Sequence, residues 1–177
     1  MGLSQVDIEK VKHLHDVDSA SEYLFSRITP SQKLKKALEY STKAHESQFR
    51  KSGEPYIIHP VLVASIVASI TNDEAMAIAA LLHDVVEDTS ISAQDVSEIF
   101  GEDVAHLVEG LTKIDTIRDL ELVPSSSNEK LVVSALSFRK MLLASIEDVR
   151  VLVVKLCDRL HNMLTLEALP EHKQLRI

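Results

Sequence analysis

The sequence predicts an all-α bundle. Apolar residues recur at helical spacing along nearly the whole chain, and no run alternates with the period of a strand. Only 4 Gly and 5 Pro in 177 residues leave little room for the turns of a β protein. The apolar fraction of 45% is mostly Ala, Leu, Val and Ile, with 4% aromatics and no Trp. Leu and Ala favour helix.

The elements follow in order. Residues 4–15 and 19–27 read as short helices, the second ending before Pro30. Residues 31–49 put Leu34, Ala37, Leu38, Ser41 and His45 on one face. A polar loop with Gly and Pro follows at 50–55. Pro60 suits the first turn of a helix running to about residue 70, because its missing N–H is not needed there. Asp73 is placed to cap the next helix, nearly all apolar over 75–82. Residues 92–100 are stopped by Gly101, and 104–111 follow. Residues 114–130, with Pro124, three serines and Asn128, read as a mobile surface loop. Helix is expected again over 131–146 and over 149–166, the latter capped by Asp148 and ending before Pro170.

The length suits one domain with a short appendage. The division expected is a helical lead-in over 1–30 and the main domain over 31–177. A single cysteine, Cys157, excludes a disulfide scaffold and a zinc finger built on Cys pairs. It also points to a reducing cytoplasm. Nineteen basic against 27 acidic residues give a net charge of −8, which disfavours nucleic-acid binding because phosphate backbones repel it. No signal-peptide core is seen near the start. The most apolar stretches, near 61–70 and 75–82, fall short of the roughly 18–20 residues that span a bilayer, so no membrane association is expected.

Three places carry chemistry. His83-Asp84-Val85-Val86-Glu87-Asp88 follows eight unbroken apolar residues. In a continuous helix His83 lies over Glu87 and Asp84 over Asp88. Taken alone, this also fits a solvated helix end. Lys155 to Asn162 follows another apolar run, with Asp158, Asn162 and Thr165 on one stripe. His59-Pro60 opens a helix just after the basic loop. Burying ionised groups is costly unless they are paired or bind a metal. His59, His83, Asp84 and Asp158 therefore form a candidate ligand set from three helices. Imidazole and carboxylate without thiolate suit Mn²⁺ or Fe²⁺, with zinc possible. Glu87 and Asp88, one turn on, are candidates to move protons. Arg50 and Lys51 add local positive charge for an anionic ligand.

The His-Asp set with its following Glu-Asp resembles the pattern of the HD-domain metal phosphohydrolases. The flanking words HESQFRKSGEPYIIHPVLVA, AALLHDVVEDT, FGEDVAHLVEGLTKI and VVKLCDRLHNM are more particular. In this order they resemble the hydrolase domain of the bifunctional RelA/SpoT proteins, over roughly residues 34–165. The resemblance implies an all-helical HD-domain bundle. It implies one Mn²⁺ held by His59, His83, Asp84 and Asp158, and hydrolysis of (p)ppGpp, the stringent-response alarmone, to pyrophosphate plus GDP or GTP. It assigns Glu87 and Asp88 as the catalytic proton-handling pair. It places Arg50 against the guanine, with Lys51, Ser52, Asn162 and Thr165 around the nucleotide.

This chain departs from the usual A-D-R-L-H-N-M-R-T in having Cys157 for Ala and Leu164 for Arg. The first reads as a packing change and the second as the loss of a cation near the substrate face. The lead-in resembles that of the long family members, so the chain reads as an excised fragment whose full-length protein carries a synthetase domain. Two other readings stand beside the hydrolase. One is another HD-family nucleotide phosphohydrolase. The other is a catalytically weak domain that binds nucleotide and regulates an attached synthetase.

Overall fold

The computed structural model describes residues 5–119, 139 and 147–166. Among the described residues the architecture is all-α, as expected, with one isolated bridge between Phe49 and Pro55. The helices are α1 (Gln5–Lys12), α2 (Val17–Arg27), α3 (Gln32–Ala44), α4 (Ile58–Thr71), α5 (Glu74–Leu82), α6 (Val85–Asp88), α7 (Ala93–Phe100), α8 (Glu102–Asp119) and α9 (Val149–Leu164). None of them is long and apolar enough to cross a membrane. The helix expected over 131–146 lies outside the described residues.

Side-chain caps fix the helix starts. Asp16, Ser31, Asp73 and Asp148 each accept a backbone N–H of the first turn of α2, α3, α5 and α9. Ser92 and Asp95 form a reciprocal capping box at α7. The cap at Asp16 starts α2 two residues before the expected start. Pro60 is the third residue of α4 rather than the first, still within the turn whose N–H groups lack helical partners.

Three boundaries differ more. The helix expected to reach residue 49 ends at Ala44, because Ser47 takes a left-handed φ of 69° and turns the chain into the basic loop. The polar stretch expected to be a mobile loop over 114–130 is helical to Asp119, and its remainder lies outside the described residues. The expected continuous helix through His83 to Asp88 breaks at His83-Asp84, leaving α6 as a separate turn. The hydrogen bond from Asp88 N to Asp84 O keeps that pair one turn apart.

α4 is the hub. Every residue from Ile58 to Ala68 is buried, as expected of a helix that is apolar all round. It packs against α2, α5 and α9, while α5 also meets α3 and α8, and α8 meets α7 and α9. Tyr23 and Leu24 of α2 are buried in the same core. Cys157 is buried in it too, and burial pushes its thiol up to about 12. That fits a packing role for this substitution. Leu164 likewise packs, partly buried, against the core. Arg150 ties the start of α9 to that of α8, reaching Asp148 and, at 2.6 and 3.0 Å, Asp103.

α8 and α9 meet closely at Gly110. A Cβ there would stand 2.7 Å from Val151 Cγ2 and 3.2 Å from its Cγ1. Val151 is 2% exposed and cannot swing away freely. Gly110→Ala should therefore lower stability by about 1–3 kcal/mol through overpacking, despite the better helix propensity of Ala. Chemical denaturation measures this; a variant as stable as the parent would show that the helices can part at no cost.

Candidate active site

The start of α4, the break between α5 and α6, and the middle of α9 converge. His59 is the second residue of α4, His83 and Asp84 form the break between α5 and α6, and Asp158 lies in α9. The break is held from α3, where buried Ser41 donates its hydroxyl to the Leu81 carbonyl at 2.7 Å. His59, His83 and Asp84 each offer a ligand atom, all within 4.8 Å of one another. Asp158 joins them, with Oδ1 at 3.3 Å from His59 Nε2 and 3.9 Å from His83 Nε2. Asp84 lies 3.1 Å from His83 Nε2 and 3.8 Å from His59 Nε2.

The donor set suits a divalent cation. His83 Nδ1 is 2.7 Å from the Ala80 carbonyl, which can only accept. With Nδ1 turned to that carbonyl, Nε2 is the ring nitrogen left to face inward. That atom is buried with no hydrogen-bond partner among the described residues, yet carboxylate oxygens surround it. Acceptors facing acceptors are arranged for a cation between them.

The electrostatics agree. Burial holds His59 below the usual histidine range, more than its carboxylate neighbours raise it. For Asp84, burial acts upward, but His83, His59 and the Tyr56 hydroxyl outweigh it and hold the carboxyl low. Asp158 is held well below the carboxylate range although burial opposes this, because His59, His83 and Lys155 favour its charge. Neutral imidazole beside ionised carboxylate is the state a metal binds.

The basic loop faces this cluster. Backbone bonds Arg50 N to Glu54 O and Gly53 N to Arg50 O, both 2.9 Å, close the turn. Gly53 at φ 95° occupies a conformation that a side chain would strain. The turn sends Arg50 to α9, where its guanidinium donates to Asn162 Oδ1 at 3.2 Å and Thr165 Oγ1 at 3.4 Å. Asn162 in turn donates to Asp158 Oδ1 at 2.7 Å. Arg50, Asn162 and Thr165 are thus brought together beside the metal-type cluster. Lys51 and Ser52 are exposed on the same turn.

Glu87 and Asp88 are exposed on α6, the turn that follows Asp84. Partial burial of the Asp88 carboxyl pushes it up, and the Asp84 charge pushes it further. Desolvation is the larger of the two causes.

Three supporting residues escaped the sequence reading. Tyr56 donates its hydroxyl to Asp84 Oδ2 at 2.6 Å and packs against the rings of His45 and His59. Lys155, buried in α9, sits 3.0 Å from Asp158 Oδ2. His161 lies 2.9 Å from His59 across the two Nδ1 atoms. Lys155 and His161 are each three residues from Asp158, so helical spacing held the signal for both. Tyr56 precedes a helix start, where no such periodicity operates.

The comparisons with known proteins fit this geometry. A family model described as an HD domain matches residues 37–177. A GTP pyrophosphokinase of Myxococcus xanthus is 46% identical over 144 residues, 81% of this chain and 18% of that protein. A probable guanosine-3′,5′-bis(diphosphate) 3′-pyrophosphohydrolase of Synechocystis sp. is 50% identical over 142 residues, 80% of this chain and 18% of its own. The bifunctional (p)ppGpp synthase/hydrolase SpoT of Escherichia coli is 46% identical over 145 residues, 82% of this chain and 20% of its own. The chain thus spans about a fifth of the length of these curated relatives. The solved structure of a metazoan ortholog of SpoT that hydrolyses ppGpp is 31% identical, with a TM-score of 0.62 over 83% of this chain and 80% of that one. The match over most of the chain, on a helical bundle with His-Asp pairs at its centre, shows that this chain belongs to the HD domain family.

Proposed function

We propose that this chain hydrolyses the 3′-pyrophosphate of (p)ppGpp with Mn²⁺, held by His59, His83, Asp84 and Asp158. One observation carries the reading: Arg50 of the basic loop reaches Asn162, which itself holds Asp158. A cationic nucleotide-binding loop and a metal-ligand cluster thus open onto one place. The relatives named as (p)ppGpp hydrolases support the choice of substrate. The full-length protein then carries further domains, a synthetase among them, and works in the cytoplasm.

In the reaction a water oxygen attacks the phosphorus joined to ribose O3′. The P–O3′ bond breaks, and O3′ leaves with the bonding pair and takes up a proton. The products are GDP or GTP and pyrophosphate. A divalent ion supplies Lewis-acid charge for the phosphate oxygens and a lower pKa for the attacking water. Arg50 stacks on or pairs with the guanine, while Lys51, Ser52, Asn162 and Thr165 orient the nucleotide. Glu87 takes the proton of the attacking water, and Asp88 gives one to O3′. Its raised pKa suits Asp88 to the acid role, because it holds its proton to higher pH than an ordinary aspartate.

The test is pyrophosphate release from ppGpp with and without Mn²⁺. Metal-dependent release is expected. Nucleotide binding without release would favour a regulatory domain instead. An acid contributes only while protonated, so its share of the rate falls as pH rises through its pKa. Asp88→Asn should therefore slow turnover roughly 10²–10⁴-fold and remove the alkaline fall in rate. A pH–rate profile unchanged by both Glu87→Gln and Asp88→Asn would remove these residues from the chemistry.

A further inference from the structure

We infer that His161 is a positioning residue: it fixes the tautomer of His59 and links that metal-facing ring to Arg50 of the substrate loop. The inference rests on the proposed function for the identity of the metal and substrate, but not for its geometry.

His161 is 1% exposed. Its Nδ1 faces two groups, His59 Nδ1 at 2.9 Å and Arg50 Nη1 at 3.5 Å. Guanidinium has donors only and does not lose its proton in proteins. An Nδ1 that meets Arg50 therefore presents its lone pair. Facing that lone pair, His59 Nδ1 must carry the proton. His59 Nε2 is then the unprotonated nitrogen, and it is the one that points at Asp158 and Asp84. His161 itself then carries its proton on Nε2, a buried atom with no hydrogen-bond partner among the described residues, and Arg50 and His59 hold the ring in that state through Nδ1.

The two cluster histidines are thus set by different means. His83 is fixed by a backbone carbonyl of its own helix, which is always an acceptor. His59 is fixed by a side chain whose own state depends on Arg50. Occupancy of the substrate loop and readiness of the metal site are therefore joined through one ring. Ring orientation by such outer partners is worth roughly 10–100-fold in metal affinity.

Imidazole nitrogen shifts, read by NMR on the metal-free chain near neutral pH, decide the assignment. His59 should carry its proton on Nδ1 and His161 on Nε2. A His59 protonated on Nε2, donating to Asp158, would overturn the inference. Mn²⁺ affinity gives a second readout that does not depend on turnover. His161→Leu should weaken binding roughly 10–100-fold. His161→Asn puts an acceptor oxygen near the place of Nδ1 and should restore most of the loss, which a mere filler of space would not do. Arg50→Met separates the link from simple charge. Removing a nearby cation should tighten Mn²⁺ binding by Coulomb's law, whereas loss of the link weakens it. His161→Leu binding Mn²⁺ like the parent, or Arg50→Met binding it more tightly, would overturn the inference. Failure to hydrolyse ppGpp with these shifts and affinities as expected would count against the proposed function alone.

Discussion

Asp84→Asn should abolish metal-dependent pyrophosphate release while leaving the fold intact. Asp84 stands where α5 breaks into α6, with its oxygens facing His83 and His59. Its charge is sustained by both rings and by the Tyr56 hydroxyl, against the cost of burial. The amide keeps the shape and can still accept from Tyr56, but it supplies no negative charge to a cation. Losing several kcal/mol of metal-derived stabilisation lowers the rate by about 10³-fold or more. Tyr56→Phe is the graded companion. It removes only the bond at 2.6 Å and should cost roughly 10–100-fold in metal affinity. Release by Asp84→Asn at the parental rate, with Mn²⁺ present, would exclude Asp84 as a ligand and with it the proposed centre.

Much of this site was legible because helices repeat. Asp158, Asn162 and Thr165 fall on one stripe of α9, and the structure finds Asn162 bonded to Asp158 and Arg50 bonded to Asn162 and Thr165. The apolar run before His83 marked a buried helix, and α5 is that helix. Spacing alone did not give the break after Leu82. The contact that meets it comes from Ser41, forty residues away, which donates to the Leu81 carbonyl. It also did not reveal that His161 and His59 touch, since their separation of 102 residues is closed only by the packing of α9 on α4. The end of α3 was missed for a local reason: 45–49 is compatible with helix by propensity, and the left-handed Ser47 is set by the closure of the loop behind it.

Asp158→Ala should destabilise the metal-free chain strongly, which sets it apart from Asp84→Asn. Asp158 is 6% exposed and Lys155 is 4% exposed, with 3.0 Å between Nζ and Oδ2. The same carboxylate accepts from Asn162 at 2.7 Å and lies 3.3 Å from His59. Removing it takes from the buried Lys155 the carboxylate that its ammonium meets at 3.0 Å. Breaking a buried pair from one side costs about 3–5 kcal/mol. Replacing both partners should cost less, because the desolvated charge goes with its partner. The double variant Lys155→Met with Asp158→Ala should therefore be more stable than Asp158→Ala alone, by urea denaturation in the presence of a chelator. Both should be inactive, since neither retains the fourth ligand. Equal stability of the single and double variants would mean that Lys155 does not depend on Asp158. In that case Asp158 would serve the metal rather than the fold. The expected result gives it both duties: it pairs with Lys155 inside the protein, and the same charge is then in place for the cation.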